Sequence, residues 1–311
     1  MKTNCCVLVC GCVLAAMSQT TAAPLQREAV TADPVWVLHV DCDALRSTAT
    51  GEFILKELGK PEAEQKLAEF ESVFGLDPRK ALHGLTLYGP SKATDEWVLL
   101  VYADFDPARL GMLAGSTQEH EMTQHRKYEI HSWIDEKKPA KDGVKPRTYA
   151  AIHAGKVVVL GPKQERVTDA LDVLDAVKPS LATSKRLERL GTGDGFVQGA
   201  ARKVDLPGSD PIAAVLKQSR FGWLNVGEAQ RKLAATLTLE ASDSEVATLI
   251  ASVGRGLIAF LALQKENPQS TKLAQALAVR EDGASVVVKL NIAVADAIDL
   301  LKAQAAKKKA G

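Results

Sequence analysis

FGLDPRKALHGLTLYG, residues 74–89, is the stretch from which the fold is read. Phe74 ends an apolar stripe begun by Leu67 and Phe70, at helical spacings of three and four. Gly75 stops that helix, because a left-handed cap suits glycine. Asp77-Pro78 restarts one: a carboxylate caps exposed N–H groups, and proline fits the first helical position. Leu85 to Tyr88 then reads as a strand, and Gly89-Pro90 as the loop that ends it.

Working outward, residues 35–41 (VWVLHVD) and 97–105 (WVLLVYADF) predict strands on either side. A helix opening at Thr50 or Gly51 carries Phe53, Ile54 and Leu58 inward. Asp106-Pro107 opens another, with Leu110 and Leu113 inward. The polar segment 115–127 reads as a loop, and 128–134 as a strand. The order is β-α-β-β-α-β, that of a ferredoxin-like sandwich. A basic loop at 135–147 leads to a hairpin at 148–153 and 156–160, turned at Ala154-Gly155, then a helix over 163–177.

The second half repeats this order. A strand at 196–203, a helix start at Asp210-Pro211 and a hairpin at 221–226 and 232–240 precede a long helix reaching Leu263. Strands near 277–280 and 286–294 and a closing helix with Ile298 and Leu301 finish it. The expected fold class is α+β: two similar ferredoxin-like lobes with antiparallel sheets, extra strands and a closing helix. The expected organisation is a signal peptide at 1–23, a lobe at 24–178 after a short linker at 24–33, a connector at 179–193, a lobe at 194–306 and a basic tail at 307–311. Uncovered sheet faces would pack on each other or on a partner.

Composition bounds the function. Of 311 residues, 46% are hydrophobic and 25% charged, as in packed globular proteins. Basic and acidic side chains number 39 and 38, and balance once Lys2 leaves with the signal, so nothing favours nucleic acid. Lys2, an apolar run over 5–17 and Thr21-Ala22-Ala23 read as a secretory signal. This predicts a periplasmic or extracellular protein with no transmembrane segment in the mature chain; acylation at Cys10 or Cys12 is the rival. Four of five cysteines lie in the signal, so the mature chain has no internal disulfide. Cys42, between Asp41 and Asp43, is disfavoured as a thiolate.

There is no phosphate loop, no Gly-x-Ser-x-Gly elbow and no His-Glu-x-x-His pair. Gly191-x-Gly193-x-Gly195 precedes a strand and reads as a flexible turn. His39-x-Asp41-x-Asp43 alternates along a strand, placing a histidine and two carboxylates on one face. That is a donor set for a divalent cation or for acid–base work. His120 and His125, with Glu121 and His131 nearby, are the other candidate metal ligands. No cofactor is expected. The basic loop and Lys307–Lys309 could touch an anionic surface. The long helix, apolar nearly all round from Leu257 to Leu263, is expected to be buried between layers, or else to wall a pocket.

Gly75 to Lys80 running into Leu85 to Gly89 resembles a pattern in exported bacterial proteins of unknown function with tandem α+β halves. The resemblance implies export and a related fold, and brings no catalytic residues with it. The sequence reading is an exported, non-catalytic binding or structural protein of the bacterial envelope, its ligand or protein partner unknown. A metal-assisted hydrolase and a carrier of an apolar ligand are the alternatives.

Overall fold

Helix α3 (Pro61–Phe74) ends on Gly75 at φ 75°. A Cβ added there would meet the Arg109 side chain at 2.9 Å. The Asp77 carboxylate then accepts the Arg79 amide, and Pro78 opens the single turn α4 (Pro78–Ala81). This turn delivers the chain to strand β2 (Leu82–Gly89). The same chemistry starts α1 (Cys42–Arg46) on Asp41, α2 (Ala49–Leu58) on Thr48 and α5 (Pro107–Gly115) on Asp106-Pro107. The computed structural model describes residues 24–93, 95–136, 140, 145–185, 187–203, 217–264 and 266–310. The expected signal, Lys137, Lys138, Lys141 and the Asp210-Pro211 helix start lie outside the described residues.

The protein is a mixed α+β fold built on an antiparallel sheet. The other strands are β1 (Trp36–Asp41), β3 (Val98–Ala103), β4 (Glu121–His125), β5 (Tyr128–Ile134), β6 (Arg147–His153), β7 (Val157–Gly161), β8 (Val197–Arg202), β9 (Ser219–Ala229), β10 (Lys232–Ala241), β11 (Leu277–Asp282) and β12 (Ser285–Ala293). All twelve form one sheet, ordered β11-β12-β10-β9-β8-β1-β2-β3-β7-β6-β5-β4. Ferredoxin-like order would set the first strand beside the third. Instead β1 pairs with β2 on one side and with β8 on the other. The β1–β8 ladder thus joins the two expected lobes into a continuous sheet. From this central pair, β1-β2-β3 and β8-β9-β10 each run outward, and later strands of each half add beyond them.

Directly opposed residues in an antiparallel ladder share a face, so the registers sort the side chains. Val37, Tyr88, Leu100, Val159 and Ala200 share the inner face. Helix α6 (Gln164–Leu174) covers it with Val167, Ala170 and Leu171, all fully buried. Each large buried side chain here contributes about 1.5–3 kcal/mol.

Two expected connectors belong to this core. In the expected linker, Leu25, Ala29 and Val30 are buried, around a 3-10 turn at Arg27–Ala29. In the expected connector at 179–193, Leu181, Leu187 and Leu190 are buried as well. Arg27 ties the two together. Its guanidinium donates to the carbonyls of Leu181 (2.9 Å), Ser184 (3.3 Å), Leu187 (2.6 Å) and Leu190 (2.9 Å). The expected flexible glycine turn is also fixed. Gln198 accepts the Gly191 amide and donates to the carbonyls of Gly193 and Gly195. A Cβ at Gly195 would meet Asn225 Oδ1 and the Val226 carbonyl at 2.5 Å.

Helix α7 (Ser244–Leu263) packs on the opposite, outer face at β10–β12, where Ala247, Ile250 and Ala251 meet Leu239 and Val286. The short α8 (Pro268–Ala276) joins it, and α9 (Val294–Ala310) follows β12. The expectation that α7 lies buried between layers is corrected: those three residues are its only buried ones. Leu249, Phe260 and Leu263 are 50%, 60% and 75% exposed. By length and composition α7 could cross a membrane, at mean hydropathy 2.0, and only 17% of that window is buried, unlike a helix inside a core.

Candidate functional site

The sequence-derived metal ligands are dispersed by the fold. His39 is buried on the inner face, with Nδ1 2.9 Å from Thr86 Oγ1. Asp41 follows on the same face, but its carboxylate accepts the Ala44 amide and caps α1. Asp43 has left the strand for the first turn of α1, so the alternation stops one residue short of the expected triad. It meets His83 instead. His83 Nδ1 lies 3.0 Å from Asp43, and its Nε2 lies 3.0 Å from Asp104. Burial opposes charging His83, but its hydrogen bonds to the Asp104 and Asp43 carboxylates outweigh it and raise the pKa.

The segment at 115–127, expected as a loop, contains β4, which pairs with β5 in a hairpin. His120 meets His131 at 3.0 Å between Nε2 and Nδ1, and His125 turns away to Asp172 at 2.9 Å. Among the described residues, no group of three or more His, Cys, Asp or Glu side chains is placed to hold a metal ion. Cys42 is half-buried, and its thiol pKa is pushed up, chiefly by burial, with Asp41 and Asp43 adding to the effect against Arg46.

A polar cluster absent from the sequence reading sits where α6 ends. Asp172 accepts from His125 and from Arg126 Nε, both at 2.9 Å. Asp175 accepts from Tyr128 Oη (2.7 Å), His153 Nε2 (3.0 Å) and Lys127 Nζ (3.2 Å). The hydrogen bond from Tyr128 leads in holding the Asp175 pKa down to about 2, against the opposing effect of burial. The pKa of Asp172 is also lowered: burial raises it, but His125 and Arg126 prevail. These carboxylates spend their oxygens clasping the β4–β5 hairpin and β6 onto α6. The cluster holds structure together and offers no nucleophile.

The outer face of the central strands differs in kind. Leu38, Leu87 and Leu99 share it, as do Leu85 and Val101, Val158 and Leu160, and Leu224. None of these belongs to either buried cluster. All are half-buried except Leu38, which is 38% exposed. The apolar strip crosses β9, β8, β1, β2, β3 and β7, a width of about 24 Å at about 4.8 Å per strand. Helix α7, standing on the same face at β10–β12, borders it. By contrast, the inner face beyond the reach of α6 carries Thr236, Thr238, Lys289 and Asn291, as a sheet meeting water does. The alternation of β1 is legible in sequence, but which of its faces is left uncovered is not.

No family model matches the chain, and no curated protein does. Among solved structures it is similar to TP0453 in crystal form III, with a TM-score of 0.51 and 11% identity over 91% of this chain and 99% of that one. TP0453 in crystal form I gives 0.48 and 10% identity, over 92% and 99%. At this identity the likeness bears on the fold alone, and it supports the mixed α+β architecture.

Proposed function

We propose that this is an exported, non-catalytic binding or structural protein of the bacterial envelope. Its binding surface is the outer apolar strip of the central sheet, and the occupant is an apolar, chain-like molecule. The observation that carries the reading is the contrast between two regions of one sheet that the described residues leave outside the buried clusters: polar at the inner face of β10 and β12, apolar at the outer face of β1, β2, β3 and β7. The partial burial of nearly every strip residue favours a slender occupant lying between side chains over a flat protein surface. Export rests on the N-terminal sequence. The finer architecture belongs to the same proposal: two tandem halves, each a three-strand run leading out from the β1–β8 pair, followed by returning strands and a closing helix. A metal-assisted hydrolase is not favoured, because His39 is committed to Thr86 and Asp41 to its cap.

The test is a fluorescence titration of the mature chain with N-phenyl-1-naphthylamine, with native mass spectrometry for a co-purified apolar ligand. Saturable enhancement is expected, weakened at least tenfold in a Leu87→Gln, Leu99→Gln double variant that still melts cooperatively. Saturable binding unchanged in that variant, or no saturable binding, would remove the strip as the site.

A further inference from the structure

The β4–β5 hairpin, at one edge of the sheet, brings two histidines together. His120 Nε2 lies 3.0 Å from His131 Nδ1, with the ring centroids 5.2 Å apart. Where His125 and His153 each turn a ring nitrogen to a carboxylate, these two turn theirs to one another. A neutral imidazole carries its proton on either nitrogen. With both protons on the far nitrogens, two lone pairs face each other. His131 is set up for that form, because its Nε2 faces the Glu129 carboxylate at 4.0 Å. A carboxylate behind the far nitrogen is what orients a metal-bound histidine. An ion about 2.0 Å from each nitrogen holds them roughly 3.3–3.5 Å apart at tetrahedral or trigonal angles. The pair therefore admits one by spreading about 0.5 Å or less and tilting the rings toward it.

The third donor is Met122. It stands directly opposite His131 in the β4–β5 register, so the two share a face, with Cβ atoms about 4.5–5.5 Å apart. Its unbranched side chain has three rotatable bonds with which to bring the sulfur over the pair. It is 55% exposed, in a strand whose other residues are all polar, so core packing does not account for a methionine there. The row continues through Ala150 and Leu160 to Leu99, which puts the two imidazoles and the thioether on the outer face of the sheet. This donor set selects the ion. Calcium and magnesium take oxygen ligands. Zinc sites use three or four His, Cys or carboxylate ligands, and no such group of three stands among the described residues. Thioether and imidazole together suit copper(I). We infer that the outer face of the β4–β5 hairpin is a copper(I) site, held by His120 Nε2, His131 Nδ1 and Met122 Sδ.

The experiment is anaerobic competition of the mature chain with bicinchoninate for copper(I), in a Cys42→Ser background that removes the free thiol. One copper(I) per chain is expected to transfer, and zinc(II) should bind at least a hundredfold more weakly. Met122→Leu changes an exposed side chain and should leave the melting temperature of the metal-free protein unchanged, while weakening copper(I) at least tenfold. His120→Gln should abolish transfer. Silver(I), a redox-inert stand-in, locates the ion by NMR: only Met112 and Met122 lie outside the expected signal, and the Met122 methyl resonance alone should shift. Four results would overturn the inference: no transfer in the Cys42→Ser protein, equal or tighter binding of zinc(II), copper(I) binding unchanged in Met122→Leu, or a silver-induced shift at Met112 with none at Met122. The Met122→Leu and NMR results decide the matter if His120→Gln folds poorly.

Discussion

Asp175 offers the clearest energetic test of how α6 is held. It caps the C-terminal end of that helix, where the helix dipole disfavours a negative charge. Three donors nevertheless converge on its Oδ1, led by Tyr128, and bring its pKa from 3.8 to about 2. A depressed carboxyl pKa contributes stability that is fully present above the unfolded value and is lost as pH falls through the folded one. The window is therefore from about pH 4 down to about pH 2. At about 1.4 kcal/mol per pH unit the shift corresponds to about 2.4 kcal/mol. The side chain is 18% exposed, and solvent screening reduces this to about 1.5 kcal/mol. Asp175→Asn keeps the shape and removes the charge. Urea unfolding of both proteins should give a difference of about 1.5 kcal/mol at pH 7, shrinking to under about 0.5 kcal/mol near pH 2. The other carboxylates titrate in both proteins and cancel. A difference that stays the same from pH 7 to pH 2 would refute the argument, because it would then come from packing and not from the charge.

Four further outcomes follow from the geometry. Arg27→Ala should cost about 2–4 kcal/mol in urea unfolding, since it strands four carbonyls around a charge-assisted hub; Arg27→Lys, lacking the forked donors, should recover less than half. His83→Gln should destabilise most below about pH 6.5, and the difference should fade as pH rises through the elevated folded pKa, as a melting series from pH 5.5 to 9 would show. Leu100→Ala, emptying a fully buried position, should cost about 2–5 kcal/mol, whereas Leu87→Ala on the half-covered outer face should cost about half as much or less. Gly75→Val should lower stability by about 1–3 kcal/mol through left-handed strain and the clash with Arg109, with Gly75→Asn much milder.

What the sequence disclosed was local. Asp77-Pro78 and Asp106-Pro107 open helices as read, and Gly75 closes one. The turn falls at Ala154-Gly155 as read, with left-handed angles at both residues, which Gly155 favours and the Ala154 Cβ opposes. Strand partners were not legible, because β1 meets β8 across 160 residues and both edges of β1 look alike in sequence. Strand β4, Glu-Met-Thr-Gln-His, is a polar edge strand with little apolar alternation to announce it. The hairpin of β9 and β10 was read, but with β9 ending at 226, because Gln230 and Arg231 both hold positive φ without any glycine to mark the tight turn. Arg27 gave no signal either, since its partners are carbonyls, which every residue carries. The His39-Asp41-Asp43 reading failed on one residue, where a cap replaced the last step of a strand.

The same limit bears on function. A strand with apolar residues on both faces predicts burial on both, and β2 reads that way: Tyr88 faces inward, Leu85 and Leu87 outward. The inner half of that prediction is met by α6 and the segment around Arg27. Among the described residues, the buried cluster on the outer side is the one under α7, at the β11-β12-β10 end of the sheet. Left to water, each half-covered leucine or valine on the strip forgoes part of the roughly 1.5–3 kcal/mol that full burial would give. The polar residues at the inner face of β10 and β12 show that this chain uses threonine, lysine and asparagine where its sheet faces solvent. The outer strip departs from that usage over six adjacent strands, so its chemistry is matched to an occupant and not to water. An occupant that fills the strip should also protect it: hydrogen exchange at β1 and β2 should slow on loading with N-phenyl-1-naphthylamine, while β4 and β11, at the sheet edges, should exchange at an unchanged rate. Equal slowing at the edges would mean a general gain in stability, and slowing confined to α7 would move the site to that helix.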